Sequence, residues 1–306
     1  MVQAPVGVPV PSLEANVLHL RNGPSTFPRI SPFIPHPMWK LLLVTLAAFL
    51  AGAMNAVAGG GTFIAFPALT AVGINEKVAN MACTIGLWPG AASSVVAARS
   101  DIRRLPRYMV FGYSTLCLIG GTTGAVLLLV TPATAFSLVI PWLLLFATVI
   151  FGFSKPIAQW AGRKHGERSL KWTLIVACVQ AGVAVYGGYF GAGIGVLTLA
   201  GLSFTGLEDI HQMNALKVLL STLTNLSAAI VFLFAPKGGG DAAEWHVAWH
   251  FALSMAIAST ISGFLGMALA RKVKQEQLRI IILICGVLLT GIYFYKNYSP
   301  LFQASS

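Results

Sequence analysis

From Met38 onward the chain alternates between long apolar runs and short polar or glycine-rich breaks. Runs such as Leu41–Val57, Val110–Val130 and Ile281–Tyr295 approach the roughly 20 apolar residues that cross the hydrocarbon of a bilayer. The pattern predicts helices over 38–57, 62–74, 78–98, 107–130, 133–153, 172–190, 193–206, 212–235, 246–270 and 278–296. It lacks the alternating segments of about ten residues that mark a membrane β-barrel. The second and seventh helices are about 13 residues long, only about 20 Å at the usual rise, too short for an upright span.

These ten fall into two similar sets of five. In each, a long helix runs into glycines: Gly59, Gly60 and Gly61 in the first set, Gly191, Gly193 and Gly195 in the second. A short helix follows, and then a longer one that opens with Asn80 or Asn214 and carries Ser93 or Ser227 thirteen residues later. Weak internal similarity of this kind is how transporter repeats look in sequence. The expected fold is an all-α polytopic membrane protein of two inverted repeats, each of about five helical elements with a short glycine-broken helix.

Charge sets the expected orientation. The loop 99–107 carries Arg99, Arg103, Arg104 and Arg107 against Asp101; the loop 154–171 carries Lys155, Arg163, Lys164, Arg168 and Lys171 against Glu167; the loop 271–279 carries Arg271, Lys272, Lys274 and Arg279 against Glu276. Short basic loops stay in the cytoplasm. The turn at Thr131–Pro132 and the loop 236–245, with Lys237 against Asp241 and Glu244, then lie outside. Ten crossings satisfy these loops, and so do two re-entrant hairpins, because a hairpin and two crossings share parity. Both options put the termini outside and invert the second half relative to the first. Arg21, Arg29 and Lys40 would sit outside against the charge rule.

The organisation expected is a proline-rich flexible tail over 1–37, a first repeat over 38–153, a basic cytoplasmic loop over 154–170, a second repeat over 171–297 and a short tail over 298–306. The first 37 residues hold eight of the sixteen prolines and no apolar core of the kind a secretory signal needs. Met38 stands directly before the first span and is a candidate start.

Composition narrows the class. Of 306 residues, 56% are hydrophobic and 9% charged, against about 25% charged in soluble domains. The net charge of +11 is orientation signal in short loops; without an aromatic-basic groove pattern it does not point to nucleic acid. Cys83, Cys117, Cys178 and Cys285 are widely spaced in apolar segments and read as small hydrophobes, with no CxxC pair for zinc or a disulfide framework. Glu244, His246 and His250 offer at most an incomplete metal set, and Trp245 and Trp249 beside them read as an interfacial belt, as do Trp39, Trp142 and Trp172. No metal and no cofactor is expected.

The glycine breaks are the candidate site. Irregular backbone at membrane depth survives only where protein buries it or water reaches it. The short helices starting near Thr62 and Ile194 present N-terminal N–H groups, which attract anions. Two such ends facing each other would make an anion site, with the Thr62 hydroxyl added; the competing reading is that the glycines serve close helix packing alone. Polar residues of neighbouring spans point to the same place: Asn55, Asn80, Thr84, Ser93 and Ser94 in the first half, and Tyr186, Asn214, Lys217, Ser221, Asn225 and Ser227 in the second. Lys217 is the lysine set away from span ends, and either serves the solute or snorkels to the nearby surface. The substrate-binding set expected is Asn55, Gly59, Gly60, Gly61, Thr62, Asn80, Thr84, Tyr186, Gly191, Gly193, Gly195, Asn214, Lys217 and Ser221.

The stretches "AGAMNAVAGGGTFIAFPAL" with "VANMACT", and "YGGYFGAGIGVLTL" with "MNALKVLLSTLTNLSAAIVF", resemble the two signatures of the TauE/SafE sulfite exporter family, also called a sulfonate permease family, over roughly residues 40–296. The resemblance implies a multi-pass protein of the inner (plasma) membrane that transports sulfite, organosulfonates or related sulfur-containing anions. No acidic residue falls mid-span to relay protons or hold sodium. An uncoupled anion path runs outward, since an inside-negative potential expels anions by about 2.3 kcal/mol per charge per 100 mV. An exporter or facilitator of small anions is therefore expected rather than an enzyme, for which no acid–base pair or metal cluster is visible. Coupled uptake of sulfonates or other small organic anions, with sodium held by backbone carbonyls, is the alternative; a membrane assembly or partner protein is a further one. The expected partners are the anion and the lipid bilayer, and a homo-oligomer is compatible with the sequence.

Overall fold

The computed structural model describes residues 38–57, 59–162, 170–205, 207, 209–235, 242–269 and 275–303. The tail 1–37, with Arg21 and Arg29, lies outside the described residues, as do Arg163, Lys164, Arg168, Arg271, Lys272, Lys274, Lys237 and Asp241, and the side chains of Lys155, Lys171, Glu244 and His246. Everything described belongs to one compact unit, Pro37–Ser306.

Eleven helices are present among the described residues: α1 (Met38–Val57), α2 (Thr62–Ala71), α3 (Glu76–Ala97), the single turn α4 (Arg99–Ile102), α5 (Arg107–Val130), α6 (Ala133–Gly162), α7 (Leu170–Tyr189), α8 (Ile194–Leu202), α9 (Ile210–Leu233), α10 (Ala242–Leu269) and α11 (Gln275–Gln303). Six carry stretches long and apolar enough to cross a membrane, in α1, α5, α6, α9, α10 and α11. α3 is not among them, and α7 offers only the shorter apolar stretch Thr173–Tyr189. α3 is the more polar because it is largely enclosed by protein, with Asn80, Thr84 and Ser94 buried along it. α6 and α11 run past the ends expected at 153 and 296. Charge ends an apolar run, but it does not end a helix, whose hydrogen bonds are internal and continue into water.

Local signals start the interior helices. The Asn75 side chain accepts from the Lys77 N–H at 2.9 Å and opens α3, with Glu76 in the first turn. Asp209 does the same for α9 through the His211 N–H at 2.8 Å. Such caps satisfy helix donors that have no carbonyl one turn back.

Long-range contacts show which ends lie together. Lys40, near the start of α1, donates to the Val72 carbonyl at the end of α2 at 3.0 Å. Lys77 donates to the Leu129 and Thr131 carbonyls at the end of α5 at 3.1 and 2.8 Å. Lys296 pairs with Glu76 at 2.8 Å. This end of the bundle, the Lys40 end, is thus made of residues near 40, 72–77, 129–132 and 296. At the opposite, Arg104 end, Leu105 clusters with Leu202 and Met213. α2 therefore doubles back beside α1 to the Lys40 end, and α8 doubles back beside α7 to the Arg104 end. Both glycine breaks are re-entrant hairpins, entering from opposite ends, which decides between the two options the loop charges left open.

Small residues let the interior helices approach closely, as they do where lipid gives helices no hydrophobic drive to associate. α3 lies against α10 through Ser259 Oγ donating to the Gly86 carbonyl (2.8 Å) and Ser94 Oγ donating to the Gly263 carbonyl (3.1 Å). α5 meets α7 where a Cβ at Gly188 would overlap the Gly121 carbonyl.

Candidate functional site

The two hairpin tips are built alike. Gly59 (φ +82°) and Gly191 (φ +74°) are left-handed, and each N–H reaches back five residues, to Met54 at 3.0 Å and Tyr186 at 3.4 Å. The tips touch: a Cβ on Gly59 would stand 2.6 Å from the Gly195 Cα, and one on Gly195 2.6 Å from the Gly59 Cα. Only two glycines allow this backbone-to-backbone crossing.

Side chains hold the tips open as loops rather than helix. Asn55 Oδ1 accepts from the Gly61 N–H at 2.7 Å in the first hairpin. Tyr186 donates its hydroxyl to the Ala192 carbonyl at 2.9 Å in the second, with a longer contact of 3.4 Å to the Leu143 carbonyl. The long helix after each hairpin then caps the other hairpin. Asn80 Nδ2 on α3 donates to the Tyr189 carbonyl that ends α7, at 2.9 Å. Lys217 Nζ on α9 donates to the Val57 carbonyl that ends α1, at 3.4 Å. Lys217 is 1% exposed, so it does not snorkel; its ammonium lies against the negative end of α1.

Between the tips, α3 and α9 lies a narrow cavity. Of the expected residues, Asn55, Gly59, Thr62, Thr84, Gly191, Gly195 and Ser221 line it. The other expected residues lie elsewhere. Gly60 packs on Ile282, Gly61 on the Ala51 carbonyl and Asn55, and Gly193 faces Ala147 and Phe63. Asn80, Tyr186 and Lys217 stand behind the wall in the braces just described, and Asn214 is not at the cavity. Cys83, Leu87, Ala91, Phe190, Ile194 and Val218, which sequence reasoning did not assign, complete the lining with Ser94 and Asn225. Their signal was spacing: 84, 87, 91 and 94 share a face of α3, and 218, 221 and 225 a face of α9. Three of these pairs, Thr84 with Val218, Leu87 with Ser221 and Ala91 with Asn225, keep the offset of 134 that separates Asn80 from Asn214.

The lining contains no Asp, Glu, Lys, Arg or His. Most hydroxyls are bonded within their own helices: Thr84 to the Asn80 carbonyl, Ser221 to those of Lys217 and Val218, Ser94 to that of Gly90. The helix starts are also largely satisfied. Phe63 and Ile64 donate to the Gly60 and Gly61 carbonyls, and Ile194 and Val196 to those of Gly191 and Gly193. The Gly195 N–H, on a lining residue, has no partner among the described residues. Free volume is small, about 20 Å³ of travel for the centre of a water molecule, room for about one water. A larger solute does not fit this volume. Among the described residues no group of three or more His, Cys, Asp or Glu could hold a metal.

Comparison with known proteins places this architecture. The family model described as "Sulfite exporter TauE/SafE" matches residues 44–294. A probable membrane transporter protein, ORF9, of Sinorhizobium is 24% identical over 79% of this chain and 88% of its own. One of Haemophilus influenzae is 23% identical over 84% and 95%, and the probable membrane transporter protein YfcA of Escherichia coli 24% over 88% and 94%. No solved structure matches the chain significantly. With six membrane-length helices and this match over most of its length, the chain belongs to the TauE/SafE family of membrane transporters.

Proposed function

We propose that the protein moves small sulfur-containing anions, such as sulfite or organosulfonates, outward across the inner membrane, and that they bind where the two hairpin tips cross. The observation that carries this reading is the crossing itself: Gly59 and Gly195 meet backbone to backbone beside a cavity lined in part by polar side chains. Such a break is tolerated in a membrane where it lines a cavity. The lining supports an anion rather than a cation, because it holds no carboxylate and lies near a buried ammonium. Tip separation then admits the solute, alternately to each end. The outward direction rests on the membrane potential and on the Arg104 end facing the cytoplasm.

Flux of labelled sulfite and several alkylsulfonates in proteoliposomes, with the potential imposed in each sign, tests this. The expected result is anion movement away from the negative side without any added cation gradient. Flux that requires a sodium or proton gradient would replace export by coupled uptake. Absence of flux for all of them would remove the substrate class.

A further inference from the structure

The Asn55 amide has a fixed direction. A backbone N–H can only donate, so the atom meeting the Gly61 N–H at 2.7 Å must be the acceptor Oδ1. Gly61 cannot shift to release it, because it is wedged against the Ala51 carbonyl, and a Cβ there would also stand 2.8 Å from Asn55 Cγ. Nδ2 is left with its protons and makes no hydrogen bond among the described residues, on a side chain that lines the cavity. Asn225, the other lining amide, has neither end committed among the described residues and can turn either one to a solute.

No charged side chain lines the cavity, so dipoles of fixed direction decide which sign of charge is stabilised there. The unbonded end of the Asn55 amide is its positive end, and the Lys217 ammonium behind the wall adds potential of the same sign. We propose that Asn55 is the charge selector of the cavity: with its oxygen turned to the Gly61 N–H, it leaves the amide donors as the end free for a solute, admitting anions and disfavouring cations. This rests on the cavity being the solute site. Asn55→Asp would keep the acceptor for Gly61 at nearly the same shape and replace Nδ2 by a second oxygen, inverting what the solute meets.

Ala91→Cys, at a partly exposed position on the same lining, serves as reporter in a background with Cys83, Cys117, Cys178 and Cys285 changed to alanine, since the buried Cys83 thiol is a poor nucleophile. Modification of the introduced thiol by 2-sulfonatoethyl methanethiosulfonate (an anion) is compared with that by the 2-trimethylammonioethyl reagent (a cation). Each rate is normalised to that reagent's rate with free 2-mercaptoethanol. Asn55 unchanged should favour the anion by about tenfold, the scale of one hydrogen bond to a charged group. Asn55→Ala should bring the ratio near one, and Asn55→Asp should reverse it. If Asn55→Ala does not fold, as thermal melting will show, Asn55→Asp decides alone, since it preserves the Gly61 bond. An anion preference that survives both substitutions overturns the selector role while leaving the anion site standing. No preference in the unsubstituted protein, or no reaction with either reagent, overturns both.

Discussion

The two re-entrant hairpins solve one problem by different means. The first, α1–α2, has one left-handed glycine, Gly59, and completes its turn with a side chain: Asn55 stands in for the missing helical acceptor of Gly61, whose own φ is an ordinary −61°. The second, α7–α8, turns on backbone, with left-handed Gly191 and Gly193 and the Tyr186 hydroxyl across the loop. Their rims differ as well. The first is tied to its neighbours by Lys40, Lys77, the Glu76–Lys296 pair and a Thr70–Tyr293 hydroxyl contact at 2.7 Å. At the second, Ser203, Thr205 and Asp209 bond locally, to the Ala200 and Leu202 carbonyls and the His211 N–H. Midway along the second hairpin Gln180, fully buried beside Gly201, has neither amide atom bonded among the described residues. A buried carboxamide without partners costs about 1–3 kcal/mol. The first hairpin is the one anchored at its rim, and the second carries a fully buried carboxamide left unbonded at both ends among the described residues.

The glycines that precede each short helix separate the two hairpins most sharply. Gly61→Ala should be the most damaging change, because its Cβ collides with the Ala51 carbonyl, which belongs to a helix and cannot move aside. Loss of folded, membrane-inserted protein is expected. Gly193→Ala meets nothing nearer than 3.4 Å and suffers only from its left-handed φ of +73°, about 1–2 kcal/mol. It should insert and melt a few degrees lower. Equal damage at both sites, read by detergent-extracted yield and thermal melting, would erase the distinction between side-chain and backbone turns.

Next in size is Lys217→Met. An ammonium buried against one carbonyl at 3.4 Å is a poor structural element, and replacing a buried charge with an apolar side chain of similar size is often neutral or stabilising. Melting without solute should stay the same or rise, while anion flux falls by about tenfold, as expected for one charge acting near a solute at the effective dielectric of a protein. A large drop in melting with flux per folded molecule unchanged would make Lys217 purely a cap. The smallest effect is expected of Glu76→Gln. Lys296 is 57% exposed in its side chain, so the lost ion pair is worth under about 1 kcal/mol. Thermal melting should move only slightly, and a larger fall would show that the rim of the first hairpin depends on this pair.

Much of this was legible in the sequence because lipid constrains sequence strongly. Apolar runs located the long helices, and the paired glycine groups located both tips. The direction of the short helices was not legible, since a hairpin and two crossings give the same loop charges; the Lys40–Val72 contact carries that information. The same contact explains basic residues at the end where the charge rule expects few: Lys40 and Lys77 hold helix-terminal carbonyls. In the site, polar residues marked the right faces of α3 and α9 but not the right depth. Asn80 and Asn214 each stand about one turn before a lining residue of their helix, Thr84 and Val218. At that level the Asn80 amide is taken by the Tyr189 carbonyl instead of facing the cavity. The apolar lining, Leu87, Ala91 and Val218, was invisible because an apolar residue in a span looks the same toward lipid and toward a cavity.

Under the proposed function, solute passes where Gly59 crosses Gly195. It is tested most directly by flux of labelled sulfite in proteoliposomes holding equal amounts of inserted native protein and Gly59→Ala, under a fixed potential. The added methyl would stand 2.6 Å from the Gly195 Cα at a φ of +82°, so the account expects native flux and its near-complete loss in the variant. Full flux through folded Gly59→Ala would contradict it.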